Sequence, residues 1–115
     1  MTPEAKVKAK VKAILKKLDA WHFSPVSGGF GKSGVPDIIG CLNGKLIGIE
    51  CKATPKDKPT ALQLKQLKAI HEHGGVALVV NCESVEGLEE ELMKRCEWDM
   101  YCGERTKNAA GDARF

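Results

Sequence analysis

The stretch Gly34–Thr54, GVPDIIGCLNGKLIGIECKAT, decides how this chain folds. Two short apolar segments flank Asn43-Gly44, the strongest short-range signal for a two-residue β-hairpin turn. If these two residues form the centre of the turn, Leu42 faces Lys45, and the register of the whole hairpin follows from that pair. The sequence therefore predicts two antiparallel strands with a defined set of facing residues.

This register places charged residues together at the open end of the hairpin. Asp37 lies directly opposite Glu50, and Lys52 shares the face of Glu50 because side chains alternate along a strand. Two carboxylates that face each other, with about 5 Å between their Cβ atoms, repel one another and lower stability. The neighbouring residues are apolar, so burying these charges is costly without a ligand. We therefore expect a cation between the two carboxylates.

A hard divalent cation such as Mg²⁺ binds carboxylate oxygen, backbone carbonyl oxygen and water. A lysine two residues along from Glu50 lies near enough to orient or deprotonate an attacking water. This set of groups suits hydrolysis of a phosphodiester, in which Lys52 stabilises the charge that develops during attack. The spacing alone is a weak pattern, and it leaves open an exposed Glu50–Lys52 pair with Asp37 as a turn residue.

The segments before and after the hairpin predict two helices with clear end signals. Thr2 is a candidate N-cap for the first helix, with Glu4 in its first turn, and Thr60 and Gln63 form a capping box for the second. Gly74 ends the second helix. The apolar residues expected to face the core are Val7, Val11, Ile14, Leu15 and Leu18 in the first helix, and Leu64, Leu67 and Ile70 in the second.

The remaining segments complete an α/β fold. A short strand is expected within 21–26, the apolar run 76–81 is typical of a central strand covered on both faces, and Ser84 is a candidate cap for a third helix. The predicted order is helix, strand, strand, strand, helix, strand, helix, which gives a mixed central β-sheet flanked by helices. We expect a single domain over 1–102 and a loosely ordered C-terminal tail over 103–115.

Composition restricts the class of protein. A chain of 115 residues with 43% hydrophobic and 29% charged residues is typical of one soluble globular domain. The sequence has neither the apolar core of a signal peptide nor an apolar run long enough to span a membrane, which predicts a cytoplasmic protein. Five cysteines without a Cys-x-x-Cys pair predict reduced, mostly buried thiols. Lysines crowd the first segment, which indicates either a polyanionic partner or a solvated helix face.

Four segments, taken in order, resemble the PD-(D/E)xK nuclease superfamily and, more closely, its VRR-NUC branch of stand-alone phage or bacterial type. They are GKSGVPDIIG (31–40), IGIECKA (47–53), TALQLKQL (60–67) and GGVALVV (74–80). The resemblance implies a restriction-endonuclease-like core, Mg²⁺ dependence with Mn²⁺ able to substitute, and cleavage of DNA. Branched DNA such as Holliday-type four-way junctions or flaps would be the substrate, which implies a role in repair or recombination in the host cytoplasm.

The resemblance also implies residue roles. Asp37 and Glu50 would be metal ligands together with the backbone carbonyl of Cys51, and Lys52 would be the catalytic lysine. Glu4 matches an acidic position that approaches the metal site, and Gln63 matches a helix glutamine that positions the site or contacts the phosphate backbone.

The chain departs from the family pattern in the loop before Gly34. It has Lys32 and Ser33 where the family often has an arginine. We expect these residues to contact DNA more weakly, because a lysine binds phosphate as a point charge and lacks the bidentate contact of an arginine. Stand-alone relatives are expected to form homodimers that present two active sites to a two-fold symmetric substrate.

Other interpretations remain in view. The loop GGFGKSG (28–34) is not a nucleotide-binding P-loop, because that motif needs a glycine where Val26 stands. The aromatic residues Trp21, Phe23 and Phe30 are expected to pack in the core more readily than to stack on bases. A DNA-binding module that keeps the fold without the chemistry is the alternative from another class, and an enzyme acting on RNA is a third.

Overall fold

A computed structural model describes residues 1–26 and 33–97 of the chain. The predicted order of elements is confirmed. Lys32, Phe30, Cys102 and the expected tail 103–115 lie outside the described residues. The elements are α1 (Pro3–Lys17), β1 (Trp21–Phe23), β2 (Ile38–Leu42), β3 (Lys45–Cys51), α2 (Ala61–Glu72), β4 (Val76–Val80), a 3₁₀ turn (Ser84–Gly87) and α3 (Leu88–Arg95).

The hairpin forms in the predicted register. Leu42 pairs with Lys45 next to the turn, and Ile38 pairs with Ile49 at the other end of the ladder. Asn43 and the glycine after it adopt φ values of 52° and 82°. Positive φ at both central residues is what a two-residue turn needs to match the right-handed twist of the strands.

The described strands form one mixed sheet in the order β1-β2-β3-β4. Strands β1, β2 and β3 are antiparallel neighbours, whereas β4 runs parallel to β3. Strand β4 stands last in this order, so the prediction that residues 76–81 form a central strand is wrong. An apolar run reports helices packed on the faces of a strand and not its position in the sheet, and here Val79 is exposed.

Helices cover both faces of the sheet. Residues of α1 and α3 such as Val11, Leu15 and Leu92 join Ile47 and Ile49 in the main core. On the opposite face, Ile70 of α2 lies over Gly48, where a β-carbon would come within 2.6 Å of its Cδ1 atom. Gly48 therefore lets α2 approach β3 closely, on the face that also carries Glu50.

The end signals of the first two helices are confirmed, but the interior of α2 and the third helix differ from prediction. Ala5 donates to the Thr2 hydroxyl, and both bonds of the Thr60–Gln63 capping box are present. Leu64 is 53% exposed, because α2 reaches the sheet through its second half. Ser84 begins a 3₁₀ turn and does not cap α3, which begins at Leu88; the Ser84 backbone N–H donates to Asn81 Oδ1 at 3.0 Å.

The thiols and the helices bear on two further expectations. Cys51 and Cys96 are buried while Cys41 and Cys82 are exposed, so the expectation of mostly buried thiols holds for half of the four cysteines described. Within 1–26 and 33–97, none of the helices has the length and apolar character needed to cross a bilayer.

Candidate active site

The open end of the hairpin brings Asp37 and Glu50 together. The backbone N–H of Asp37 donates to Glu50 Oε1 at 3.2 Å, and the backbone N–H of Cys51 donates to Asp37 Oδ2 at 2.8 Å. Each carboxylate is therefore held by a main-chain N–H from the other side of the hairpin, with Asp37 one residue before β2 and Cys51 at the end of β3. The rigid hairpin, rather than a loop, sets the separation of the two acids.

Glu50 is the one charged residue buried among those described, at 2% exposure. Burial, and then the charge of Asp37, raise the pKa of its carboxyl from 4.5 to about 7. Lys52 opposes the shift, because its Nζ lies 3.4 Å from Glu50 Oε2 and stabilises the ionised form. The buried carboxylate is therefore costly to ionise, as expected for a group arranged to hold a cation.

A second lysine, Lys8 of α1, belongs to this site and was missed in the sequence. Its Nζ lies 3.6 Å from Asp37 Oδ1. Lys8 follows Glu4 by four residues, so both project from one side of the helix. That spacing was a usable signal, but six lysines in the first seventeen residues gave no reason to select this one.

Glu4 faces the approach to the site. Together with Lys52, Asp57 and Lys58, it lines an open cleft of about 450 Å³ between the start of α1 and the segment after β3. Among residues 1–26 and 33–97, no three His, Cys, Asp or Glu side chains gather in a metal-binding group. Glu4 therefore lies at the cleft without joining Asp37 and Glu50 in a three-carboxylate cluster.

Cys51 contributes through its backbone and not through its thiol. Burial, and then the Asp37 charge, raise the pKa of the thiol to about 12, so it stays protonated. A protonated thiol is neither a nucleophile nor a metal ligand. The N–H and C=O of one residue in an extended strand point toward the same neighbour, so the Cys51 carbonyl follows its N–H toward Asp37.

Gln63 has a structural contact in this structure. Its side-chain oxygen accepts from the Thr60 N–H at 2.9 Å and closes the capping box. The turn at Ser33 and Gly34 lies against the same helix end, since a β-carbon on Gly34 would come within 2.4 Å of the Leu62 carbonyl oxygen. With φ of 79°, Gly34 lets the chain pass over the helix and lead into Asp37.

These groups fit a hard divalent cation. Two carboxylates and one backbone carbonyl supply few protein oxygens, which matches Mg²⁺, an ion that keeps several waters and shares substrate phosphate oxygens. Ca²⁺ bound by protein alone takes six to eight oxygens and suits this donor set less well.

Comparison with known proteins gives one partial similarity. No protein-family model matches the chain. Over 59 residues, half of this chain, it is 36% identical to the protein named "Putative nuclease p44" of Acyrthosiphon pisum secondary endosymbiont phage 1. The matched region spans 62% of that relative's length. The α/β fold is compatible with a restriction-endonuclease-like core, and the similarity to a phage protein so named suggests a nuclease.

Proposed function

We propose that this protein is a Mg²⁺-dependent endonuclease of the VRR-NUC type that hydrolyses phosphodiester bonds of branched DNA. The observation that carries the proposal is the meeting of Asp37, Glu50 and Lys52 at one end of the hairpin. Two acids and a largely buried lysine are a costly arrangement that a structural role does not require. The similarity to a phage protein named as a nuclease supports the same class.

In this mechanism Asp37, Glu50 and the Cys51 carbonyl would hold the ion. Bound there, Mg²⁺ would supply positive charge for the phosphate oxygens and for an attacking water. Lys52 stabilises charge on the phosphate or orients the attacking water from beside Glu50. The Cys51 N–H keeps one Asp37 oxygen fixed, so the acids need little rearrangement before reaction.

DNA is proposed to enter through the cleft lined by Glu4, Lys52 and Lys58. Two lysines of the first segment form ion pairs within the molecule: Lys10 with Glu86 of the 3₁₀ turn, and Lys17 with Glu89 of α3. That face is therefore less suited to DNA than the cleft side. Gln63, Ser33 and Lys32 remain proposed phosphate contacts.

We also propose a homodimer through the part of the sheet that α2 leaves uncovered. Trp21 pairs with Cys41, which pairs with Leu46, so the three side chains share one face. Trp21 is 65% exposed, and Phe23 and Leu46 are each 46% exposed. The prediction that Trp21 and Phe23 pack in the core is therefore wrong. An apolar face of this kind is typical of an interaction surface.

Light scattering of the purified protein tests the dimer. We expect a dimer mass for the unaltered chain and a monomer mass for Leu46→Glu, because a charge on this face cannot be buried unpaired. Met93→Glu is the matched control, since Met93 is an apolar residue that is 57% exposed on α3, away from this face. A monomer mass for the unaltered chain would rule out the dimer.

The activity is tested with labelled junction, flap, single-stranded and duplex DNA and matched RNA, with Mg²⁺ or EDTA. We expect Mg²⁺-dependent cleavage of branched DNA by the unaltered protein and none by Asp37→Asn. Binding of junctions without cleavage in Mg²⁺ or Mn²⁺ would favour a DNA-binding module of the same fold. Preferential cleavage of the RNA strands would instead identify a ribonuclease.

A further inference from the structure

Lys8 is a charged partner of the candidate site that the proposed mechanism does not use. Its ammonium contacts Asp37 Oδ1 while the other carboxylate oxygen accepts from the Cys51 N–H. With Lys52 beside Glu50, two ammonium groups balance the two carboxylates. When both carboxylates are ionised, these four side chains together carry no net charge without any ion.

This balance changes when a divalent cation binds. A cation held between Asp37 and Glu50 takes over the role of counter-ion, and it repels an ammonium that contacts the same carboxylate. Lys52 is only 14% exposed in its side chain, whereas Lys8 is 33% exposed, so Lys8 has the freer path away from the site. Helix α1 itself stays in place, because Val7, Val11 and Leu15 are buried in the core.

We propose that Lys8 is an exchangeable counter-ion: it neutralises Asp37 in the metal-free protein, leaves Asp37 when a divalent cation binds, and then contacts a DNA phosphate at the cleft. A lysine suits this role because its four-carbon stem is flexible and its ammonium binds phosphate as a point charge. Release of Lys8 couples metal binding to DNA binding, since the ion frees the group that grips the substrate. The exchange rests on the metal site of the proposed function, and the phosphate contact rests in addition on its DNA substrate.

The first test measures Mn²⁺ binding without DNA by isothermal titration calorimetry. We expect Lys8→Gln to bind Mn²⁺ at least about threefold more tightly, because the competing ammonium that keeps part of the population unable to bind is gone. Lys8→Arg keeps the charge and is expected to bind like the unaltered protein. Lys6→Gln is the matched control, since Lys6 is an exposed lysine of the same helix.

The second test measures the binding of a cleavage-resistant phosphorothioate junction in Mn²⁺ at several salt concentrations. We expect Lys8→Gln to bind more weakly and its log–log salt slope to fall by about one, the signature of one lost phosphate contact. Lys6→Gln is expected to keep the slope of the unaltered protein. Thermal melting of each variant verifies that it is folded.

The outcomes separate the possibilities. Unchanged or weaker Mn²⁺ binding by folded Lys8→Gln overturns the exchange and leaves Lys8 as a structural ion pair, with the proposed function intact. Tighter Mn²⁺ binding with an unchanged salt slope overturns the phosphate contact. An unaltered protein that binds no Mn²⁺ overturns both the exchange and the metal-dependent nuclease itself.

Discussion

Lys52→Met is expected to lower the single-turnover rate of DNA cleavage by about 10²- to 10⁴-fold, the range found when one positioned proton-transfer or charge-stabilising group is removed. The ammonium lies 3.4 Å from Glu50 Oε2 and is mostly shielded from water. A charge in this setting acts more strongly than one in bulk solvent, and water does not replace it. Rates are measured with enzyme in excess over a labelled junction in Mg²⁺.

Comparing Lys52→Met with a control variant separates an effect on the chemical step from an effect on DNA binding. Lys45→Met is the control, because Lys45 is an exposed lysine at the other end of the same strand. Junction affinity in Ca²⁺ is expected to stay within about threefold for both variants, since a group used in the transition state adds little to substrate binding. Cleavage by Lys52→Met above a tenth of the unaltered rate would remove Lys52 from the mechanism.

The hairpin was predictable because its information is local. Asn43-Gly44 fixes the turn, the turn fixes the register, and the register alone brings Asp37 opposite Glu50. Lys52 follows from the alternation of side chains. This part of the site could therefore be deduced from about twenty consecutive residues.

The contributions of the helices were not predictable in the same way. Which turn of α1 crosses the end of the sheet depends on how Val7 and Val11 pack, and that packing selects Lys8 from a row of similar lysines. The position of β4 in the sheet was not predictable either. Its apolar run indicates that its faces are buried, but it does not tell an edge strand from a central one. Long-range packing thus determines the parts of the site that the sequence pattern left undecided.

Glu50→Gln is expected to stabilise the metal-free protein by about 1–3 kcal/mol at pH 8, because it removes a carboxylate that is costly to ionise in the fold. The pKa of Glu50 is raised from 4.5 to about 7, so the folded state retains a proton that the unfolded state has already released. The stability that this proton supplies is fully present below pH 4.5 and is lost as pH rises through 7. The advantage of Glu50→Gln therefore grows between pH 5 and 8 and is small at pH 5.

Urea unfolding in EDTA at pH 5, 6, 7 and 8 measures this effect, with Glu83→Gln as an exposed control that is expected to follow the unaltered protein. Adding Mn²⁺ is expected to reverse the order at pH 8. An ion present at a concentration 100 times its Kd stabilises the folded state by about 2.7 kcal/mol. We expect only the protein with both carboxylates to gain this stability. A Glu50→Gln variant that is no more stable at pH 8 would mean that Lys52 already compensates the buried charge, and the site would then have no stored electrostatic cost for a metal ion to relieve.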